Sequence, residues 1–151
     1  MGARVRRLTA LLVAFLPLAV HAGGDPWARP TSPALLDADE AFRLLPLTRD
    51  GDRLRIEWDV VPGYFLYRDR IEITAMAPPG QRLTSVQLPA GEPYHDAHFG
   101  DVRVYRSGFV ATAVGAAGVT RVRVSYQGCA AVGVCLPPQE KEIVIPVETA
   151  H

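Results

Sequence analysis

Cys129 and Cys135 are the only cysteines in a chain of 151 residues, and five residues separate them. A disulfide across so short a ring removes little freedom from the unfolded chain, about 2 kcal/mol by the chain-entropy relation. The pair is therefore a weak staple and a candidate for exchange chemistry. Exchange needs one sulfur reachable as a thiolate and a second close enough to resolve the mixed disulfide. The intervening Ala130, Ala131, Val132, Gly133 and Val134 are small and uncharged, so another protein could approach closely. Pro137 and Pro138 fix the backbone directly after Cys135 and keep that segment out of a helix.

Three other readings stand beside this one. The pair could be a passive hairpin disulfide in an exported binding module. With His95 and His98 it could compose a zinc or copper site, although the cysteine offset is wider than a usual ligand pair. The histidines could equally be solvated loop residues. Phe99, between Pro93 and Gly100, reads as a core anchor by default and more sharply as a lid over the cysteines. Tyr64, Phe65 and Tyr67 read as sandwich core or cross-strand pairs.

The elements that must position these residues follow from the rest of the chain. Arg4, Arg6 and Arg7 precede an apolar run from Leu8 to Val20, and Val20-His21-Ala22 offers a small-residue cleavage site. Residues 1–22 thus read as a secretory signal, too short for the roughly 20 apolar residues of a spanning helix. Export to an oxidising compartment permits a disulfide. With the three leader arginines set aside from sixteen basic residues, thirteen remain against sixteen acidic ones, a net of about −3. That balance argues against a nucleic-acid or anionic-membrane partner.

Residues 23–36 carry three prolines and two glycines and read as an arm or linker, and 37–151 as one domain. Leu35 to Phe42 holds one helical turn with Asp37 as its cap. From Phe42 the period is two: Leu54, Ile56, Trp58 and Val60 share one strand face, and Arg121 to Tyr126 alternates as cleanly. Strands are expected at 42–48, 54–60, 64–67, 70–74, 83–88, 102–106, 109–114, 119–126 and 142–147. Gly91 to Asp101 breaks the rhythm and reads as a loop. Regular turn signals without a second helix predict an all-β fold, a β-sandwich.

Tyr126-Gln127-Gly128-Cys129, Cys135-Leu136-Pro137-Pro138, Gly63-Tyr64-Phe65-Leu66-Tyr67-Arg68 and the segment from His95 to Arg106 resemble, in matching order, the amino-terminal periplasmic domain of the DsbD thiol:disulfide interchange family. The resemblance runs from about Asp37 to Val147. It implies an immunoglobulin-like β-sandwich with the redox cysteines in a β-hairpin loop, located in the periplasm and using no cofactor beyond the dithiol. It further implies that Cys135 forms the mixed disulfide and Cys129 resolves it. Asp96, His98, Phe99 and Gly100 would form a cap loop, with Phe65, Tyr67 and Tyr126 lining the pocket. The implied donor is a thioredoxin-like domain. The implied acceptors are periplasmic thioredoxin-fold proteins, the isomerases DsbC and DsbG and the cytochrome c maturation thioredoxins among them. Two departures stand out: the stretch from His95 to Gly100 is one residue shorter than the family pattern, and Ala97 and His98 replace acidic residues. A carboxylate disfavours a nearby thiolate and a protonated histidine favours it, so these changes bear on thiol reactivity. No membrane segment or thioredoxin-like segment follows Val147, so the sequence reads as a fragment or as an independent version that finds its reductant in trans.

Overall fold

Alternating apolar side chains organise the fold, and the computed structural model describes residues 34–145. The expected signal at 1–22, most of the expected arm and the last residues of the final expected strand lie outside the described residues. The first element among the described residues is helix α1 (Ala38–Ala41), capped by Asp37, whose carbonyl accepts the N–H groups of Glu40 and Ala41. Thirteen strands follow among the described residues: β1 (Phe42–Leu44), β2 (Thr48–Asp50), β3 (Arg53–Val60), β4 (Tyr64–Tyr67), β5 (Glu72–Ala77), β6 (Ser85–Gln87), β7 (Glu92–Asp96), β8 (Gly100–Tyr105), β9 (Phe109–Val114), β10 (Arg121–Tyr126), β11 (Gly128–Ala130), β12 (Val134–Cys135) and β13 (Gln139–Val144).

They form three antiparallel sheets. The first runs β1-β3-β9-β6 with β2 also on β3, the second β13-β10-β5, and the third β12-β11-β4-β8-β7. Buried faces match the sequence pattern: Leu54, Ile56, Trp58 and Val60 on β3, Ala111 and Ala113 on β9, and Val122, Val124 and Tyr126 on β10 meet in one core. Each large side chain buried there contributes about 1.5–3 kcal/mol. Tyr126 meets both Phe42 and Trp58 edge to face, and Trp58 stacks on Phe109.

Two expectations need correction. The strand expected over 42–48 is two strands, because Pro46 has no N–H for the ladder and Leu45-Pro46-Leu47 leaves it. The loop expected from Gly91 to Asp101 is largely a hairpin, with His95 opposite Asp101 and Asp96 opposite Gly100. Its strand β7 lies at the sheet edge with mostly exposed side chains, so no apolar alternation marked it, and an edge position tolerates Pro93.

The chain passes between sheets at two places that matter for the cysteines. β4 enters β5 through a single 3-10 turn, Arg68–Arg70, and β10 enters β11 through Gln127. All four residues of β4 are buried. Tyr64 and Leu66 face the main core, whereas Phe65 and Tyr67 face a second, smaller one with Val104 and Cys129. Gly128 makes the crossing possible. A Cβ there would sit 2.2 Å from the Phe65 carbonyl oxygen and 2.5 Å from Cζ of Phe42. Gly128→Ala is therefore expected to cost about 3 kcal/mol, the upper end for overpacking. Urea unfolding should show a lower midpoint at unchanged slope.

Candidate functional site

The cysteine hairpin is the edge of the third sheet. Cys129 on β11 faces Cys135 on β12, and the two are joined as a disulfide. The three-residue turn Ala131-Val132-Gly133 closes with the Gly133 N–H on the Ala130 carbonyl at 3.0 Å. Gly133 adopts a φ of 90°, a left-handed conformation that glycine alone takes without strain. Outside the turn, Ala131 N–H donates to the Gly63 carbonyl and Leu136 N–H to that of Gly128. The pair is thus held on both sides. Its two members differ in environment: Cys129 is 1 % exposed, while Cys135 lies exposed on the edge strand.

A second hydrogen-bonded unit sits above the sulfurs. The Tyr67 hydroxyl donates to Asp96 Oδ2 at 2.6 Å and lies 3.2 Å from Cys129 Sγ and 3.9 Å from Cys135 Sγ. Neither sulfur of a disulfide carries a proton, so the phenol proton goes to Asp96 and the phenol oxygen makes only a van der Waals approach to the sulfurs. The other Asp96 oxygen accepts N–H groups from His98 at 2.7 Å and Phe99 at 3.0 Å. One carboxylate, itself 7 % exposed, therefore ties Tyr67 to the turn of the β7–β8 hairpin. The hydrogen bond from Tyr67, followed by those from the backbone, holds the Asp96 carboxyl below the usual carboxylate range despite burial. Burial first, and then Asp96, pushes the Tyr67 phenol well above its ordinary value.

Aromatic packing completes the site. Phe99 meets Tyr67 edge to face with ring centres 5.2 Å apart. Phe65 packs on Tyr67 at 5.4 Å and on Tyr94 at 5.0 Å. Two guanidinium groups cap these rings, Arg70 at 4.7 Å from the centre of Phe99 and Arg106 at 4.9 Å from that of Phe65. Of the residues expected from sequence, the fold gathers Cys129, Cys135, Phe65, Tyr67, Asp96 and Phe99. Gly100 begins β8 beside them. Tyr126 instead packs in the main core against Phe42 and Trp58, where burial pushes its phenol up to about 12. The His98 ring is solvated, and its Nδ1 lies 3.8 Å from Asp96. His95 pairs with Asp101 at 2.7 Å on the exposed side of the hairpin. Among the described residues no cluster of three or more His, Cys, Asp or Glu is arranged to hold a metal. A groove of about 620 Å³ is bordered by Phe42, Leu44, Leu47 and Ile143 and touches neither cysteine.

Sequence reasoning missed Tyr94, Arg70 and Arg106. Tyr94 carried a usable signal, since it shares a strand face with Asp96 two residues on. The arginines carried none, because they reach the rings from other elements.

Fold and site together define an immunoglobulin-like domain built around an asymmetric two-cysteine hairpin beneath an aromatic cover. Comparison with known proteins agrees: residues 32–146 match the family of the amino-terminal domain of the thiol:disulfide interchange protein DsbD, and the chain belongs to that family. It is 34 % identical over 139 residues to DsbD of Pseudomonas fluorescens, covering 92 % of this chain and 23 % of that protein. With DsbD of Vibrio cholerae it shares 40 % over 124 residues, 77 % of this chain and 19 % of that one. The chain thus spans about a quarter or less of the length of these relatives. The crystal structure of the reduced Neisseria meningitidis DsbD amino-terminal domain superposes with a TM-score of 0.66 at 30 % identity, over 74 % of this chain and 89 % of that one. A second neisserial structure, a complex between the DsbD and PilB amino-terminal domains, gives 0.63 at 27 %, over 73 % and 86 %.

The Asp96 arrangement predicts a pH response. A carboxyl depressed on folding stabilises the fold above its unfolded value, and that contribution is lost as pH falls through the lower folded value. Carboxyl carbon NMR is expected to find Asp96 titrating below 3.8, with loss of its contribution confined to more acid solution. In Tyr67→Phe the titration should move upward.

Proposed function

We propose that this domain relays two electrons in the periplasm, from a thioredoxin-like donor domain to thioredoxin-fold acceptors, through Cys129 and Cys135 alone. The observation that carries the reading is the asymmetry of the pair: an exposed Cys135 on an edge strand joined to a Cys129 buried beneath Tyr67. Only Cys135 lies at the surface, where a partner's thiolate reaches it once the cap is displaced, and Cys129 is already in place to resolve.

In the reductive half, a donor thiolate attacks the Cys135 sulfur, the Cys129–Cys135 bond breaks, and Cys129 leaves as a thiolate that takes up a proton. The donor's second thiol then attacks its own bridged sulfur and releases Cys135, so the donor ends oxidised and the domain holds two thiols. In the oxidative half, Cys135 thiolate attacks an acceptor disulfide and displaces one acceptor thiolate. Cys129 then attacks the Cys135 sulfur, re-forms the domain's disulfide and releases the acceptor reduced. Such steps are ordinary thiol–disulfide exchange and need no metal or organic cofactor. The Tyr67 oxygen, with its own proton committed to Asp96, accepts a hydrogen bond from the Cys129 thiol once the disulfide opens.

Family membership supports protein-disulfide reduction as the activity. The neisserial structure described as a complex of a DsbD amino-terminal domain supports protein partners that dock on such a domain. By the resemblance set out above, acceptors are isomerases of the DsbC and DsbG type and cytochrome c maturation thioredoxins. The sequence pattern of residues 1–22, read above as a secretory signal, supports export.

Alkylation mass analysis tests the reading after the reduced domain is incubated with a thioredoxin-fold partner that lacks its resolving cysteine and carries its remaining cysteine as a mixed disulfide with thionitrobenzoate, which Cys135 thiolate displaces as the leaving group. Cys129→Ser is expected to accumulate the mixed disulfide and Cys135→Ser to form none. The reduction potential of the pair should fall between about −270 and −180 mV, in the range of exchange proteins. A potential well below about −300 mV, without trapping by either variant, would instead mark a structural disulfide in a binding module.

A further inference from the structure

Arg70 is an exposed cation that, among the described residues, has no carboxylate within ion-pair distance. Its neighbour Asp69 pairs with Arg68 instead. The Arg70 guanidinium lies over the Phe99 ring, 4.7 Å from its centre, and the same ring meets Tyr67 edge to face at 5.2 Å. Phe99 thus touches both a cation and the phenol ring whose oxygen lies 3.2 Å from Cys129 Sγ. A guanidinium over an aromatic face within about 6 Å is attractive through the ring's quadrupole.

The backbone of the cap is secured separately. Asp96 holds the N–H groups of His98 and Phe99, and these bonds do not fix where the Phe99 side chain points. Phe99 is 42 % exposed, so burial alone retains it weakly. The contact with Arg70 comes from outside both the cap and the pocket floor, from the 3-10 turn between β4 and β5.

We infer that Arg70 is a latch that holds the Phe99 ring closed over Tyr67 and the disulfide. In this arrangement it is a positioning residue acting through Phe99, and it slows attack by small thiols until a docking partner draws the guanidinium off the ring. An exposed arginine without an ion pair is suited to release by a carboxylate on that partner. This inference rests on the exchange reading above.

The test is the second-order rate at which 2-mercaptoethanol reduces the disulfide in the full chain, for wild type, Arg70→Gln, Phe99→Ala and the double variant. Loss of one cation–π contact at an exposed site is expected to raise the rate about two- to fivefold in Arg70→Gln. Phe99→Ala should raise it at least as much, and the double variant should gain nothing beyond Phe99→Ala. The sign separates a latch from a charge effect: the attacking species is an anion, so removing a positive charge would by itself slow the reaction. If Phe99→Ala accelerates reduction and Arg70→Gln does not, the latch is refuted and the cap stands. Equal acceleration by Arg70→Gln with and without Phe99 also refutes it, because Arg70 would then act other than through the ring. If neither single variant accelerates reduction, Phe99 does not shield the disulfide, and the cap falls together with the latch.

Discussion

The hydrogen bond between Tyr67 and Asp96 is the contact on which the organisation of the site depends. Tyr67 belongs to a strand inside the sheet, and Asp96 ends the outermost strand of that sheet. Joining them across the buried second core sets the height of the cap above the cysteines and directs the phenol proton away from the sulfurs. It also explains how a carboxylate comes to be buried here, since its two oxygens accept one phenol and two backbone donors. An ionised carboxylate without such partners would favour its neutral form on burial.

Two cores divide the work of the molecule. The larger, centred on Trp58 and Tyr126, is a sandwich interior filled by alternate residues of long strands. The smaller contains Phe65, Tyr67, Val104 and Cys129, with Tyr94 and Val102 beside it. Strands β4 and β11 belong to both, sending successive side chains to opposite faces of one sheet. The reactive hairpin is therefore anchored by the main core through Tyr64, Leu66 and Ala130, while its Cys129 belongs to the small one. This arrangement keeps a rigid scaffold beneath an open edge, the usual relation between framework and functional loop.

Much of the scaffold was legible in the sequence. The alternation in Arg53 to Val60 and Arg121 to Tyr126 named the buried faces, because a two-sided strand must put apolar groups on one side. Tyr64 to Tyr67 gave no alternation to read, since both of its faces are buried. The β7 strand was hidden for the opposite reason, an edge position with most side chains in solvent. Tyr126, placed near the cysteines by its position in the motif, turns into the main core because it ends β10 before the chain crosses to the next sheet at Gln127.

The sequence by itself determined that two cysteines would face each other across a short turn, since small residues and Gly133 between them and prolines after them leave a hairpin as the simplest local solution. It also determined, through its motifs, the family to which the chain belongs. Only the tertiary structure decided which sulfur is buried and which is open, because that depends on Cys135 lying on the last strand of a sheet whose order is not written in the chain. The placement of Arg70 and Phe99 was likewise decided there. They lie 29 positions apart in sequence, and no local periodicity relates them. Contacts of that separation arise only when strand pairing brings distant turns together, and pairing is a property of the whole sheet.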